Sequence, residues 1–329
     1  MNKELLEEND RNIRLFGMET QKKLFETKVL LINLTPAITE LAKNLILIGT
    51  QLILYDDETI VTDNDINNNF FLNSEDLNKN KSNSLKMKLN LIKSSANIDI
   101  INYEELKNLK DNICFAGFDI TNINKNYIGD IENILINKKI FTYYIYIHNK
   151  YGFFINNLFY NKQEGKNINK KEEKIELLDS DDEEKNKNDK KENEEIHLEE
   201  EDEEIEKFDL KNDYTIHFLF ECLNKKINEQ CLNFIPVENK IKHLVLPFSF
   251  YNYYMENKLI LKFDFKDKYI DLKENKNSNE DEIYFFPTSC VIGGIVCQEI
   301  INLIGQKKKP NCNLYSYDAF EEIGEFFSI

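Results

Sequence analysis

The sequence predicts a doubly wound α/β domain. Three observations carry that expectation: short apolar runs suited to strands buried on both faces, stretches of helical spacing between them, and a strand–helix–strand unit near the N-terminus.

Residues 4–27 read as two helices hinged at Phe16-Gly17. Lys28-Val29-Leu30-Leu31-Ile32-Asn33 has an all-apolar centre and predicts the first strand. Residues 40–49 have helical spacing and end on Gly49, a plausible C-cap. Gln51-Leu52-Ile53-Leu54-Tyr55 then predicts a second strand that runs into Asp56-Asp57. This is one right-handed βαβ unit. The alternation continues with a helix over 84–95, strands over 98–101 and 112–116, a helix over 127–137 and a strand over 139–146. Gly152-Phe153-Phe154-Ile155 opens antiparallel structure. Helices are predicted over 214–226 and 288–304, the latter with Gly293-Gly294 near its centre, and a last strand over 313–318. The whole reads as a Rossmann-like mixed sheet.

One segment breaks the pattern. Residues 163–209 have no apolar period and predict a long disordered acidic insertion. It carries a net charge of −12 out of −17 for the 329-residue chain, so the folded remainder is near −5. The expected organisation is therefore 1–162 and 210–329 as two parts of one domain, with 163–209 between them. The negative balance argues against nucleic-acid binding. With no N-terminal apolar segment and no long apolar run, neither secretion nor membrane spanning is expected. The six cysteines are scattered without a C-x-x-C pair, which suits reduced thiols and neither zinc nor a thiol nucleophile.

The turn after the first strand decides the functional reading. In nucleotide-binding sheets that turn is rich in glycine, so that backbone N–H groups can approach phosphate at a helix N-terminus. Here it is Asn33-Leu34-Thr35-Pro36-Ala37-Ile38-Thr39-Glu40. It has no glycine, Pro36 lacks an N–H, and Ile38 is branched where phosphate would enter. The scaffold is of a nucleotide-binding type, and its own nucleotide site is expected to be closed.

Arg11 and Arg14 are the only arginines in a chain that otherwise uses lysine for every cation. Retaining a guanidinium suggests planar recognition of a carboxylate or phosphate, although two surface cations on an amphipathic helix would look the same.

From Arg11 to Leu24 the string Arg-Asn-Ile-Arg-Leu-Phe-Gly-Met-Glu-Thr-Gln-Lys-Lys-Leu resembles the opening motif of ubiquitin-like activating enzymes, the ThiF/MoeB superfamily. The likeness resumes at Pro287-Thr288-Ser289-Cys290, Gly293-Gly294, Glu299-Ile300-Ile301 and Tyr315-Ser316-Tyr317-Asp318. Within that superfamily, length and the glycine-free loop resemble the small subunits of SUMO-activating enzymes. The resemblance implies an inactive copy of the adenylation domain, with no cofactor bound in cis. It implies a heterodimer with a larger catalytic subunit that holds ATP and Mg, and location in nucleus and cytoplasm. It also implies that Arg11 reaches across the interface to the partner's ATP phosphates, while Arg14 has a structural role. The remaining departures point the same way. Phe118-Asp119-Ile120-Thr121-Asn122 lacks the arginine that follows a catalytic aspartate, so Asp119 reads as a strand-end or capping residue. Asn83 stands where a phosphate-contacting lysine is expected, and Asp56 sits where an acid would bind ribose.

Inside the insertion, Ile175, Leu177 and Leu178 precede Asp179-Ser180-Asp181-Asp182-Glu183-Glu184. The pattern resembles a SUMO-interacting strand. The plainer reading is a chance triplet in a solvated tract. Lys307-Lys308-Lys309-Pro310 is too short to be more than a weak nuclear signal. Three other readings stay open at this stage: the regulatory subunit of a different modifier-activating enzyme, a self-contained Rossmann or ThiF-type enzyme, and a scaffold in which Arg11 has no chemical part.

Overall fold

In the computed structural model the described residues are 7–160 apart from 57, 110–112, 122, 124 and 158, together with 210–211, 219, 285–306 and 313–327. The insertion, the expected helix over 214–226 and Lys307–Pro310 lie outside them. The described elements begin with α1 (Asp10–Phe16), α2 (Met18–Glu26), β1 (Lys28–Ile32), α3 (Pro36–Leu47), β2 (Gln51–Tyr55) and α4 (Asp63–Asn68). They continue with α5 (Lys81–Ile92), β3 (Ile98–Ile100), α6 (Tyr103–Lys107), β4 (Ile113–Asp119) and α7 (Lys125–Asn137). Beyond these come β5 (Phe141–His148), β6 (Tyr151–Asn156), β7 (Phe159–Tyr160), β8 (Leu210–Lys211), α8 (Phe286–Gly305), β9 (Leu314–Asp318) and β10 (Ile323–Phe327).

An eight-stranded mixed sheet has the order β10-β9-β6-β5-β4-β1-β2-β3. Strands β3, β2, β1, β4 and β5 are parallel, and β6, β9 and β10 add antiparallel. Because β9 pairs with β6, the C-terminal segment completes the sheet begun by the N-terminal one. The strand centre of β1 alternates between two cores. Val29 and Leu31 belong to the core under α3 and α8, and Leu30 and Ile32 to the core under α6 and α7. A strand covered on both faces reads as an unbroken apolar run.

Helix α3 starts four residues earlier than expected. Thr35 is its N-cap and Pro36 occupies the first turn, where the missing N–H costs nothing. Gly49, at φ +93°, turns the chain out of α3 into β2, and an added Cβ there would lie 2.3 Å from the Phe25 ring. Two short helices escaped the periodicity reading, α4 and α6, and both are held by reciprocal capping boxes, Thr62 with Asp65 and Asn102 with Glu105.

Helix α8 is, among the described residues, the one helix long and apolar enough to cross a membrane by length and composition. It serves here as a core helix, with Ile292, Val296 and Ile300 fully buried beside α3.

Candidate functional site

In a doubly wound sheet the crevice lies where neighbouring strands send their chains to opposite faces. Here β1 leads into α3 on one face and β4 leads toward α7 on the other, so the crevice falls between Asn33–Pro36 and Asp119–Thr121. It is filled by the protein's own groups. Asp119 ends β4 and is fully buried. Its Oδ2 accepts from Thr35 Oγ1 at 2.5 Å and its Oδ1 from the Thr121 backbone N–H at 2.8 Å. Asn33 Nδ2 donates to the Asp119 carbonyl at 2.8 Å. Asn33 also takes the left-handed conformation, φ +61°, one of the few non-glycine residues able to do so cheaply. Thus an asparagine makes the turn without opening the backbone to phosphate. The anion at the N-terminus of α3 is a carboxylate of this chain.

Burial pushes the Asp119 pKa up to about 6, against the hydrogen bonds from Thr121 and Thr35 that pull it down. Between its usual value of 3.8 and 6 the folded protein binds a proton that the unfolded chain has released. Stability therefore falls as pH rises through that window, by up to about 3 kcal/mol. Asp119→Asn removes the charge, keeps an acceptor for the Thr121 N–H and offers Nδ2 as a donor to Thr35 Oγ1, which reverses that hydrogen bond. Its stability difference from wild type should grow in its favour from pH 4 to pH 7, read from thermal midpoints. A difference that is flat across that range would refute the assignment.

Beside the filled crevice, a cleft of about 510 Å³ runs along the ends of β2 and β3, lined by Tyr55, Asp56, Glu58, Asn83, Glu104 and Glu105 among others. Its size suits a nucleoside, but among the described residues four carboxylates line it and no lysine does. Lys81, the nearby cation, is paired with Asp65 at 2.8 Å. Asp56 Oδ2 accepts from Thr59 Oγ1 at 2.6 Å. Among the described residues, the lining of this cleft offers a triphosphate carboxylates and no cation.

Arg11 lies at the other end of the domain. Its helix α1 buries no residue and rests on the C-terminal end of α3, where Asn12 Nδ2 donates to the Leu47 carbonyl at 3.2 Å. A helix of twelve residues is about 18 Å long. Arg11 and the Thr35–Asp119 pair are thus separated by the length of α3. The Arg11 side chain is exposed, and it has no ion pair among the described residues. Arg14 is exposed too, paired with Asp10 at 2.8 Å one turn earlier. The rest of the opening motif is structural: Gln21 Nε2 donates to the Ile48 carbonyl at 2.7 Å, and Leu24 is fully buried. Ile175, Leu177 and Leu178 lie outside the described residues.

The described thiols do not resemble nucleophiles. Burial, aided by Glu40, raises Cys290 to about 11 and Cys297 to about 12, and burial also raises Cys114. Among the described residues no cluster of His, Cys, Asp and Glu could hold a metal.

Residues 9–125 match the ThiF family, a span that contains Arg11, the turn after β1 and Asp119. Over 90 residues the chain is 36% identical to the DNA damage tolerance protein rad31 of Schizosaccharomyces pombe, covering 27% of this chain and 29% of that protein. Over 72 residues it is 43% identical to the NEDD8-activating enzyme E1 regulatory subunit of Xenopus laevis, 22% of this chain and 14% of that one. Over 70 residues it is 37% identical to SUMO-activating enzyme subunit 1 of Dictyostelium discoideum, 21% of each. The matched segments span less than a third of these relatives. The crystal structure of PaaA superposes with a TM-score of 0.55 at 13% identity, covering 100% of this chain and 84% of that one. The likeness is one of fold.

Proposed function

We propose that this ThiF protein is the non-catalytic adenylation-domain subunit of a heterodimeric enzyme that activates a ubiquitin-like modifier, with SUMO as the modifier. A larger catalytic subunit would hold ATP and Mg, and Arg11 would complete its phosphate site in trans. The observation that supports this reading is the contact across the crevice: Thr35, the N-cap of α3, donates to the buried Asp119 at the helix N-terminus where these sheets receive phosphate. The position of Arg11 supports it further, since a guanidinium a helix-length away cannot serve the crevice of its own domain.

In adenylation a carboxylate oxygen of the modifier bonds to the α-phosphorus while the bond to pyrophosphate breaks. Negative charge grows on the phosphate oxygens, and a fixed guanidinium stabilises it more in the transition state than in the ground state. Location in nucleus and cytoplasm is part of the same proposal. The similarity to SUMO-activating enzyme subunit 1 favours SUMO. The match to a NEDD8 regulatory subunit favours that modifier as the second reading.

The isolated chain should show no micromolar affinity for ATP by calorimetry, and the heterodimer purified with its endogenous partner should adenylate SUMO. Tight ATP binding by the chain alone would overturn the proposal. Adenylation of NEDD8 in place of SUMO would leave the architecture standing and change the modifier.

A further inference from the structure

Lys93 is, among the described residues, the one lysine exposed over less than a tenth of its surface. It caps α5 at the end of the domain that carries Arg11. Its Nζ donates to Asn9 Oδ1 at 3.3 Å and lies 3.7 Å from Glu8 Oε1. Ser95 Oγ, two residues on, donates to Glu8 Oε1 at 2.9 Å. Asn9 is itself buried and is the N-cap of α1. Burial lowers the Lys93 pKa and Glu8 raises it again, as expected for a cation held in a poorly solvated place by one partner.

A buried lysine needs a reason, because an apolar residue of similar volume would fill the space without the cost of desolvation. Space does not force it inward. Lys93 also lines an open cleft of about 420 Å³ with Lys22, Phe25 and Asn97, yet its ammonium stays beside Asn9 and Glu8. The reason lies in α1, a seven-residue helix with no buried residue. Its apolar anchor is Phe16 at the far end, which packs against the core, so the start that carries Arg11 is held by polar contacts: Lys93 and Ser95 before it, and Asn12 on the Leu47 carbonyl after it. Arg11 lies between these contacts.

We infer that Lys93 is a positioning residue for Arg11: it clamps Glu8 and Asn9 and so fixes the direction in which the guanidinium leaves the domain. This rests on the reading that Arg11 acts on ATP held by the partner. Preorganisation matters there because a misplacement of about 1 Å can cost on the order of 100-fold in rate.

The test is a double-mutant cycle in the purified heterodimer, with ATP–pyrophosphate exchange as the readout and co-purification with the partner as the check on assembly. Lys93→Met should lower kcat on the order of 10- to 100-fold with little change in the KM for ATP. Lys93→Arg should recover most of that loss. In an Arg11→Ala background, Lys93→Met should cause less than a twofold further loss, since a misaimed and an absent guanidinium are equivalent. Asn9→Ala, which breaks the clamp from the α1 side, should behave as Lys93→Met does and covers the case in which that variant fails to assemble. A wild-type rate for Lys93→Met and Asn9→Ala, with Arg11→Ala slow, would overturn the clamp and leave the trans cation intact. Equal losses from Lys93→Met with and without Arg11 would reduce Lys93 to a structural residue. A wild-type rate for Arg11→Ala would overturn both readings.

Discussion

Arg11→Ala, assembled with the catalytic partner proposed above, should adenylate modifier about 10²–10³ times more slowly than wild type, equivalent to about 2.7–4 kcal/mol of transition-state stabilisation. The loss should fall mainly on kcat. A cation that met ATP equally in ground and transition states would raise KM and leave kcat alone, whereas one aimed at developing charge does the reverse. Arg11→Lys keeps the charge and loses the planar fork, so it should recover part of the rate. Arg14→Ala is the internal control. Its pair with Asp10 is a solvent-exposed i,i+4 contact worth about 0.3–0.5 kcal/mol, and its removal should leave adenylation unchanged. Pyrophosphate exchange at the wild-type rate by the Arg11→Ala enzyme would leave the chain as a scaffold with no chemical part.

Gly293→Ala and Gly294→Ala should have opposite effects although the residues are adjacent. A Cβ on Gly293 would sit 2.7 Å from the Ala37 carbonyl oxygen and 3.1 Å from the Leu41 backbone nitrogen. Both are main-chain atoms of α3, so relief requires two core helices to part. Overpacking of about 3 kcal/mol, offset by about 1 kcal/mol of helix propensity, leaves a destabilisation of about 2 kcal/mol. A Cβ on Gly294 meets nothing within 4 Å. There the propensity gain stands alone, and stability should rise by up to about 1 kcal/mol. Urea midpoints at equal m-value measure both. Equal shifts for the two variants would mean that the α3–α8 contact is looser than the geometry says.

The same glycine pair shows how far the sequence could be read. A Gly-Gly pair inside an apolar helix is a signal for close packing, but which of Gly293 and Gly294 faces α3 depends on the rotation of α8, a property of the assembled layers. The early start of α3 was written in Thr35-Pro36, an N-cap followed by proline, although periodicity alone began the helix at Glu40. The left-handed turn at Asn33 had a signal too, because asparagine is the usual substitute for glycine there. Strand β10 had none: Ile323, Gly324, Glu325, Phe326 and Phe327 do not alternate cleanly, and only pairing with β9 orders them.

By itself the sequence determined the parallel βαβ core, the missing glycines of the phosphate turn and the isolation of Arg11 and Arg14 among lysines. These are local properties, set by residue type and short-range period. Only the tertiary structure decided that Asp119 and Thr35 meet across the crevice, 84 residues apart in sequence, and that Lys93 grips the start of the Arg11 helix, 84 residues behind it. The physical reason is that a buried charge takes its partner from whatever the packed layers bring within about 3 Å, and no spacing along the chain encodes that distance.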